Sequence, residues 1–417
     1  MIMQRIKLLN WRNMEQAEIL LEKRMFFLSP GGSSQSECLD VFRFLHDIVS
    51  EGGGMQSAIA LRGGLARLRG HYDRSLPHIG ITIDLQDEKT HGSWTYHLAF
   101  TQESRGYRRP VITREEVWKN SKPLLIRPDP ADWEDGERLT QTALEQVCAN
   151  REFRELVIYF DSISYLKPIP SKPISCNPIP CNPIPCSQHL QMRPCVRDGS
   201  TEPNTAPKTE AFADMLLCAF PGVVALTAPV IRENRLERIS AIVGFLDPHI
   251  GNLHFEGEQP GHPLPNGSDG TLFIKPGHPL PEGSRGTLFI KDTAFHQANV
   301  SEGDLRWIVL LWWMLDNESL LLLEEPENYL DASALSKLPS VMRRLQLNRK
   351  TGRQILISTH SPDLLTDPAL DIGEIITLQP SPDGFVVLTG MGIPDISHFL
   401  ATGVILADDI APGFMQS

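Results

Sequence analysis

Short apolar runs broken by polar turns open the chain, and Ile6–Leu9, Ala17–Leu21 and Met25–Leu28 read as three strands, the third the most buried. Behind them, Cys38, Phe42, Leu45 and Val49 recur at steps of 4, 3 and 4, which predicts an amphipathic helix over Ser36–Val49. The Gly/Ser-rich loop Pro30–Ser34 joins strand to helix. Ile81–Leu85 and Trp94–Phe100 predict further strands, and Arg151–Tyr159 a helix. Past Ser301, Asp304–Leu315 reads as a strongly apolar, buried helix. Leu320–Leu323 is an unbroken apolar strand, as a parallel sheet covered on both faces requires. Ala332–Leu347 predicts a helix and Gln354–Ser358 a second buried strand. Strand–helix–strand order at both ends predicts α/β architecture.

Two repeats interrupt this pattern. Lys167–Cys186 is a proline-rich pentad repeated four times, followed by a polar tract to about Lys208; proline at this density removes backbone donors and predicts extended chain. Cys176, Cys181, Cys186 and Cys195 fall here without a CxxC pair, so copies of an expanded repeat are favoured over a soft-metal site. Pro260–Lys275 and Pro276–Lys291 are near-copies of one 16-residue unit, each ending in a Thr-Leu-Phe-Ile run, which fits two adjacent antiparallel strands. His262 and His278 recur in it as copies of one residue and are weak metal candidates.

At 417 residues the chain is longer than a usual single domain, and 41% hydrophobic with 22% charged residues excludes wholesale disorder. The net charge of -12 argues against constitutive charge-driven DNA wrapping; Arg62, Arg67, Arg69 and Arg74 form a local basic cluster of the kind that is usually a solvated face. The longest apolar run, Trp307–Leu315, is 9 residues, about half a bilayer span, so no transmembrane helix and no membrane partner are expected. Seven cysteines and an opening without a signal-peptide core predict a reduced, cytoplasmic setting.

Three polar clusters follow buried strands. Ser29–Ser36 holds the position of a phosphate loop, G-x-x-x-x-G-K-[ST], whose amides cradle phosphates while Lys neutralises them and the hydroxyl meets Mg²⁺. Here Ser29 and Ser34 stand for the two glycines and Gln35 for the Lys. Leu320–Glu327 ends an apolar strand in Glu324 and Glu325, the pattern of a Walker B pair: the first carboxylate assists a metal and the second polarises a water. Ile355–Pro362 ends another strand in His360, suited to sensing a γ-phosphate at the same edge.

SEGDLR (residues 301–306), LLLLEEPENYLD (320–331) and ILISTHSPDLL (355–365) resemble, in order and spacing, the signature, Walker B, D-loop and switch-His motifs of ABC-type ATPases. The resemblance is to the AAA-family branch related to SMC, recombination-repair and OLD-type proteins. RIKLLNWRNMEQAEILL (5–21) is similar to that branch's opening strands, with a fainter echo in EGGGMQSAIALRGGLARLR (51–69). It implies a P-loop NTPase of ABC/SMC-head type, with a mixed or parallel central sheet, an antiparallel N-terminal sheet and a helical insertion. The implied divisions are an N-terminal lobe over 1–165, a Pro/Cys-rich insertion over 166–209, insertion helices and a repeat hairpin over 210–300, and a C-terminal lobe over 301–417.

The resemblance further implies ATP and Mg²⁺ as ligands. Pro30, Gly31, Gly32, Ser33, Ser34 and Gln35 would surround the phosphates, and Ser36 and Glu324 would serve the metal. Glu325 would be the base and His360 the γ-phosphate contact. Ser301 and Gly303 would meet the nucleotide of a second copy in a homodimer, with Asp331 at that interface. None of Gln56, Gln86 and Gln102 fits a Q-loop glutamine.

The substitution of Gln35 for Lys weakens the phosphate loop. A unit-charge pair at about 4 Å and an effective dielectric of about 20 contributes roughly 4 kcal/mol, a hydrogen bond only about 1. A loss of a few kcal/mol lowers affinity or turnover roughly a hundredfold or more. The expected function is therefore a nucleotide-dependent dimerisation switch with weak hydrolysis. The alternatives are a non-catalytic pseudo-ATPase scaffold, or the ATPase subunit of a DNA repair or phage-defence complex whose nuclease is a separate protein. The 57 residues after His360 are too few for an appended OLD-type nuclease, and no sustained heptads support long coiled-coil arms.

Overall fold

The structure is a computed structural model, and it describes residues 1–29, 34–69, 78–103, 107–166, 224, 227–246, 253–257, 286–290, 293–294, 302–315, 319–347, 353–381 and 384–389. The chain divides into two compact units: Met1–Leu166 with Glu318–Glu325 and Gln346–Ser417, and Lys167–Asn317 with Pro326–Leu345.

The first unit begins with β1 (Ile2–Trp11), β2 (Met14–Leu20) and β3 (Arg24–Leu28), then α1 (Ser34–Val49), α2 (Met55–Leu61) and α3 (Leu65–Leu68). Four long strands follow: β4 (Ile79–Gln86), β5 (Ser93–Gln102), β6 (Pro110–Lys119) and β7 (Lys122–Arg127). After α4 (Pro130–Glu134) and α5 (Arg154–Asp161) comes the short β8 (Ser164–Leu166). β1, β2 and β4–β7 form one antiparallel sheet in the order β2-β1-β4-β5-β6-β7. Its inner face follows from alternation: Ile79, Ile81, Ile83 and Leu85 of β4 are buried, as are Trp94, Tyr96, Leu98 and Phe100 of β5. That face packs on α1, where Phe44 stacks between Trp11 and Phe100 at centroid distances of 5.2 and 5.8 Å. Asn120 and Ser121, both at positive φ, make the two-residue β6–β7 turn whose twist matches the strands it joins.

A buried ionic cluster secures the sheet's last strand. Arg127 donates to Glu115 at 2.9 Å and to both oxygens of Asp132 at 3.0 Å, with all three side chains almost fully enclosed. The Tyr96 hydroxyl and the Ala143 amide donate to Glu115 as well, so its charge has partners on every side.

The second sheet of this unit is mixed. Its order is β15-β14-β3-β13-β12-β8, where β12 is Leu321–Glu324, β13 Ile355–Thr359, β14 Ile375–Ser381 and β15 Gly384–Thr389. β8, β12, β13, β3 and β14 run parallel, and β15 returns antiparallel. Every residue of β3, β12 and β13 is buried, as expected of strands covered on both faces. The Gln354 side chain ties the two sheets: its amide donates to the Met3 and Glu22 carbonyls at 2.8 and 2.9 Å, and its oxygen accepts from the Met3 amide at 3.1 Å.

The second unit contains β9 (Leu253–Gly257), β10 (Gly286–Ile290) and β11 (Thr293–Ala294), a small antiparallel sheet in the order β11-β10-β9. It also holds the helices α6 (Pro229–Leu246), α7 (Glu302–Met314) and α8 (Ala332–Leu335), and most of α9 (Leu338–Leu347). β10 is the strand-like run of the second 16-residue copy, and its partner along all five residues is β9; the first copy, with His262, lies outside the described residues, as does His278. The pentad cysteines also lie outside them. Among the described residues no group of three or more His, Cys, Asp or Glu gathers to hold a metal, and no helix is long and apolar enough to cross a membrane.

Outside the repeats the expected strands and helices recur within a few residues, with one correction; in the repeats, both edges of β10 are taken by β9 and β11 rather than by the first copy. Ala332–Leu347 is not one helix but α8 and α9, parted at Ser336–Lys337. Pro339 is the second residue of α9; with no amide hydrogen it suits a first turn and cannot continue an earlier one. The first unit thus has the expected α/β class, with an antiparallel sheet, a mixed and largely parallel sheet, and α1 following the third strand.

Candidate functional site

Parallel pairing carries the ends of β3, β12 and β13 to one edge of the mixed sheet, where α/β folds bind ligands. Ser29 follows β3, Glu324 closes β12, and His360 follows β13. Ser36 stands in the first turn of α1, and its hydroxyl donates to Glu324 Oε1 across 288 residues of sequence. β13 lies between β3 and β12, so the phosphate-loop position and the acidic pair flank one central strand.

Glu324 is almost fully enclosed, at 2% exposure. Its second oxygen accepts from the Tyr165 hydroxyl on β8, and the Arg43 guanidinium of α1 lies over the Tyr165 ring, 3.9 Å from its centroid. Burial raises the Tyr165 hydroxyl well above the usual phenol range; nearby Arg43 opposes this, and the Glu324 charge adds to it. The phenol therefore stays protonated near neutral pH and acts as a donor.

Glu325 leaves the strand with φ of 50°, a left-handed conformation that costs a residue with a Cβ about 1–2 kcal/mol. Its amide still donates to the Ser358 carbonyl at 2.8 Å, which anchors the bend, and its carboxylate lies 3.8 Å from His360 Nε2. His360 Nδ1 lies 3.1 Å from the Ser29 carbonyl oxygen; a carbonyl only accepts, so Nδ1 carries the hydrogen and Nε2 is the atom turned toward Glu325. The Glu325 carboxylate and the imidazole thus stand near each other, with the ring oriented by the carbonyl that follows β3.

Ser358 was not legible as a site residue. Its register places it opposite Glu324 and beside Phe27, on the sheet face that packs against α1. Its hydroxyl is buried and has no hydrogen-bond partner among the described residues, a deficit worth about 1–3 kcal/mol unless an oxygen ligand or water meets it. Magnesium favours hard oxygen donors and keeps several waters. The Ser36 hydroxyl meets the Glu324 carboxylate, and the unmet Ser358 hydroxyl stands in register with it one strand over; all three are oxygen donors of the kind such an ion takes. The one sequence signal for Ser358 is a hydroxyl inside an otherwise apolar strand; Tyr165 and Arg43 carried none.

The remaining expected residues are distributed differently. Pro30, Gly31, Gly32, Ser33 and Ser301 lie outside the described residues. Ser34 and Gln35 open α1. Gly303 is in α7, and Asp331 caps α8, accepting from the Ala334 amide at 2.8 Å, a bond that lowers its pKa; both belong to the second unit. There the Arg306 guanidinium donates to the Tyr329 carbonyl at 2.8 Å, linking α7 to the segment ahead of α8. Gln56 donates to the Pro110 and Thr140 carbonyls and Gln102 to Arg108, so neither side chain serves the site. Within the basic cluster, Arg62 is buried in ion pairs to Asp40 and Asp47 at 3.0 and 2.8 Å, while Arg74 lies outside the described residues. A groove of about 530 Å³ lies on the outer face of the antiparallel sheet, away from these residues. Two of its cations, Lys7 and Arg114, already pair with Glu18 and Glu116, which makes it a poor phosphate site.

Residues 250–366 match the family model described as "AAA domain, putative AbiEii toxin, Type IV TA system". No curated protein matches the chain. Among solved structures, an SMC head bound to the C-winged helix domain of ScpA aligns at 11% identity and TM-score 0.49, covering 93% of this chain and 98% of that one. The SMC head domain from Thermotoga maritima aligns at 10% identity and TM-score 0.45, covering 93% and 99%. A Pyrococcus furiosus SMC head with an extended coiled coil, bound to the C-terminal domain of ScpA, aligns at 11% and 0.42, covering 93% and 96%. The AAA-domain match over 250–366 takes in Glu324, Glu325 and His360, which the structure gathers with Ser36 at one edge of the mixed sheet.

Proposed function

We propose that the chain is an ATP-binding module working in the cytoplasm as a nucleotide-dependent dimerisation switch, with hydrolysis weakened by Gln35. The observation that carries this reading is the hydrogen bond from Ser36 to Glu324, made at a shared edge with Glu325 and His360. Magnesium, when bound, supplies positive charge against the phosphate oxygens. Ser36 and Glu324 would hold it, with the Gly32, Ser33 and Ser34 amides toward the phosphates. Glu325 takes a proton from the attacking water, and His360 orients the terminal phosphate. Ser301, Gly303 and Asp331 meet the second copy. A protein partner fits such a switch; a nucleic-acid role has little support, since Arg62 is committed to internal ion pairs.

A non-catalytic scaffold is the second reading, favoured by the loss of the loop Lys. Calorimetric ATP titration with Mg²⁺, followed by mass measurement of the oligomer, separates the two. The switch requires saturable binding, a Tm that rises with ATP by mass action, and a dimer that accumulates in Glu325→Gln. The double variant Ser34→Gly/Gln35→Lys should bind and turn over ATP faster than wild type. Absence of binding in both proteins leaves only the scaffold; brisk wild-type turnover abolished by Glu325→Gln overturns the claim of weak hydrolysis.

A further inference from the structure

Walker B strands commonly end in Asp, whereas β12 ends in Glu324, one methylene longer and one rotatable bond freer. A longer carboxylate reaches further but has more orientations, so it needs a partner to fix it. The structure supplies two donors from two elements: Ser36 of α1 on Oε1 and Tyr165 of β8 on Oε2. Together they block rotation about the last side-chain bond. A serine hydroxyl that donates to Oε1 keeps both its lone pairs for a cation, so this orientation of Glu324 prepares Ser36 as a metal ligand.

The tyrosine is itself held in place. Arg43 covers its ring from α1, two turns along the helix from Ser36, so the same helix that carries the metal-side hydroxyl also sets the phenol.

We propose that Tyr165 is a positioning residue, which fixes the Glu324 carboxylate against Ser36 so that the pair receives a divalent cation; this rests on the nucleotide reading above. The opposite role, a cap that keeps the cation out, predicts the opposite sign in the same measurement. The test uses Mn²⁺ with a non-hydrolysable ATP analogue on the full chain, followed by electron paramagnetic resonance, together with thermal unfolding of the metal-free protein. Tyr165→Phe should weaken Mn²⁺ binding about tenfold, equivalent to about 1.4 kcal/mol. In a Glu324→Asp background the same change should have less than about a twofold effect, because the shorter carboxylate no longer reaches the phenol. Metal-free Tyr165→Phe should unfold cooperatively; should it fail to fold, Arg43→Leu, which loosens the ring without removing the hydroxyl, should weaken Mn²⁺ several-fold. Unchanged or tighter Mn²⁺ binding in these variants, or an equal loss in both backgrounds, overturns the proposal alone. Failure of both the wild type and Ser34→Gly/Gln35→Lys to take up Mn²⁺ and the analogue overturns the nucleotide reading and this role with it.

Discussion

Glu145 is held between two backbone amides, Met55 at 2.8 Å and Thr142 at 2.6 Å, yet burial pushes its pKa up to about 7 from 4.5, and the Glu115 charge adds to the rise. The two amides and Arg127 pull the other way without cancelling it. A raised carboxyl pKa means the folded chain keeps a proton that the unfolded chain has lost. Stability from this group is therefore present below pH 4.5 and declines as pH rises toward about 7, by about 3 kcal/mol. Tm recorded from pH 4.5 to 8 should fall less steeply in Glu145→Ala than in the wild type, although that variant loses the two bonds at every pH. Parallel profiles would remove Glu145 as the source. The site residues divide at this scale. Glu324, Glu325 and His360 were legible because polar residues ending an apolar strand must emerge at a sheet edge. Ser358, Tyr165 and Arg43 were not, because a hydroxyl's partner and a ring's neighbour are set by which strand lies alongside.

Gln354, just ahead of β13, shows what an element boundary can carry. It was read as the first residue of a buried strand, and its side chain is the link between the sheets. Gln354→Leu keeps the volume but strands the Met3 amide and the Met3 and Glu22 carbonyls. The expected loss is about 2–4 kcal/mol, read as a lower denaturant midpoint at unchanged m-value. A change under about 0.5 kcal/mol would mean that water replaces the amide. β1–β5, α1, β12 and β13 were legible from period and apolar density, whereas β6 and β7 were not. β6 carries Arg114, Glu115 and Glu116 in a row, which reads as surface. Glu115 is instead buried, because Arg127 from the next strand and the Ala143 amide neutralise it.

Across the whole molecule, the first unit is assembled from separate stretches of chain. β3 pairs with β13 and β14, and β8 with β12, so the N-terminal part supplies two strands whose neighbours come after Glu318. A fragment ending at Leu166 would leave both backbone edges of the buried β3 unpaired. It should show no sharp thermal transition by circular dichroism, and co-expression with residues 318–417 should restore one. A cooperative transition in the isolated fragment would show that the antiparallel sheet and α1 suffice. Hydrophobic period and the placement of polar clusters, both local properties, already determined the α/β class, the strands at either end and the acidic pair with its histidine. Only the tertiary structure decided that Ser36 reaches Glu324, that Tyr165 and Ser358 join them, and that Arg62 is buried. Those outcomes depend on strand order and register, which bring together residues hundreds of positions apart and leave no trace in the spacing along the chain.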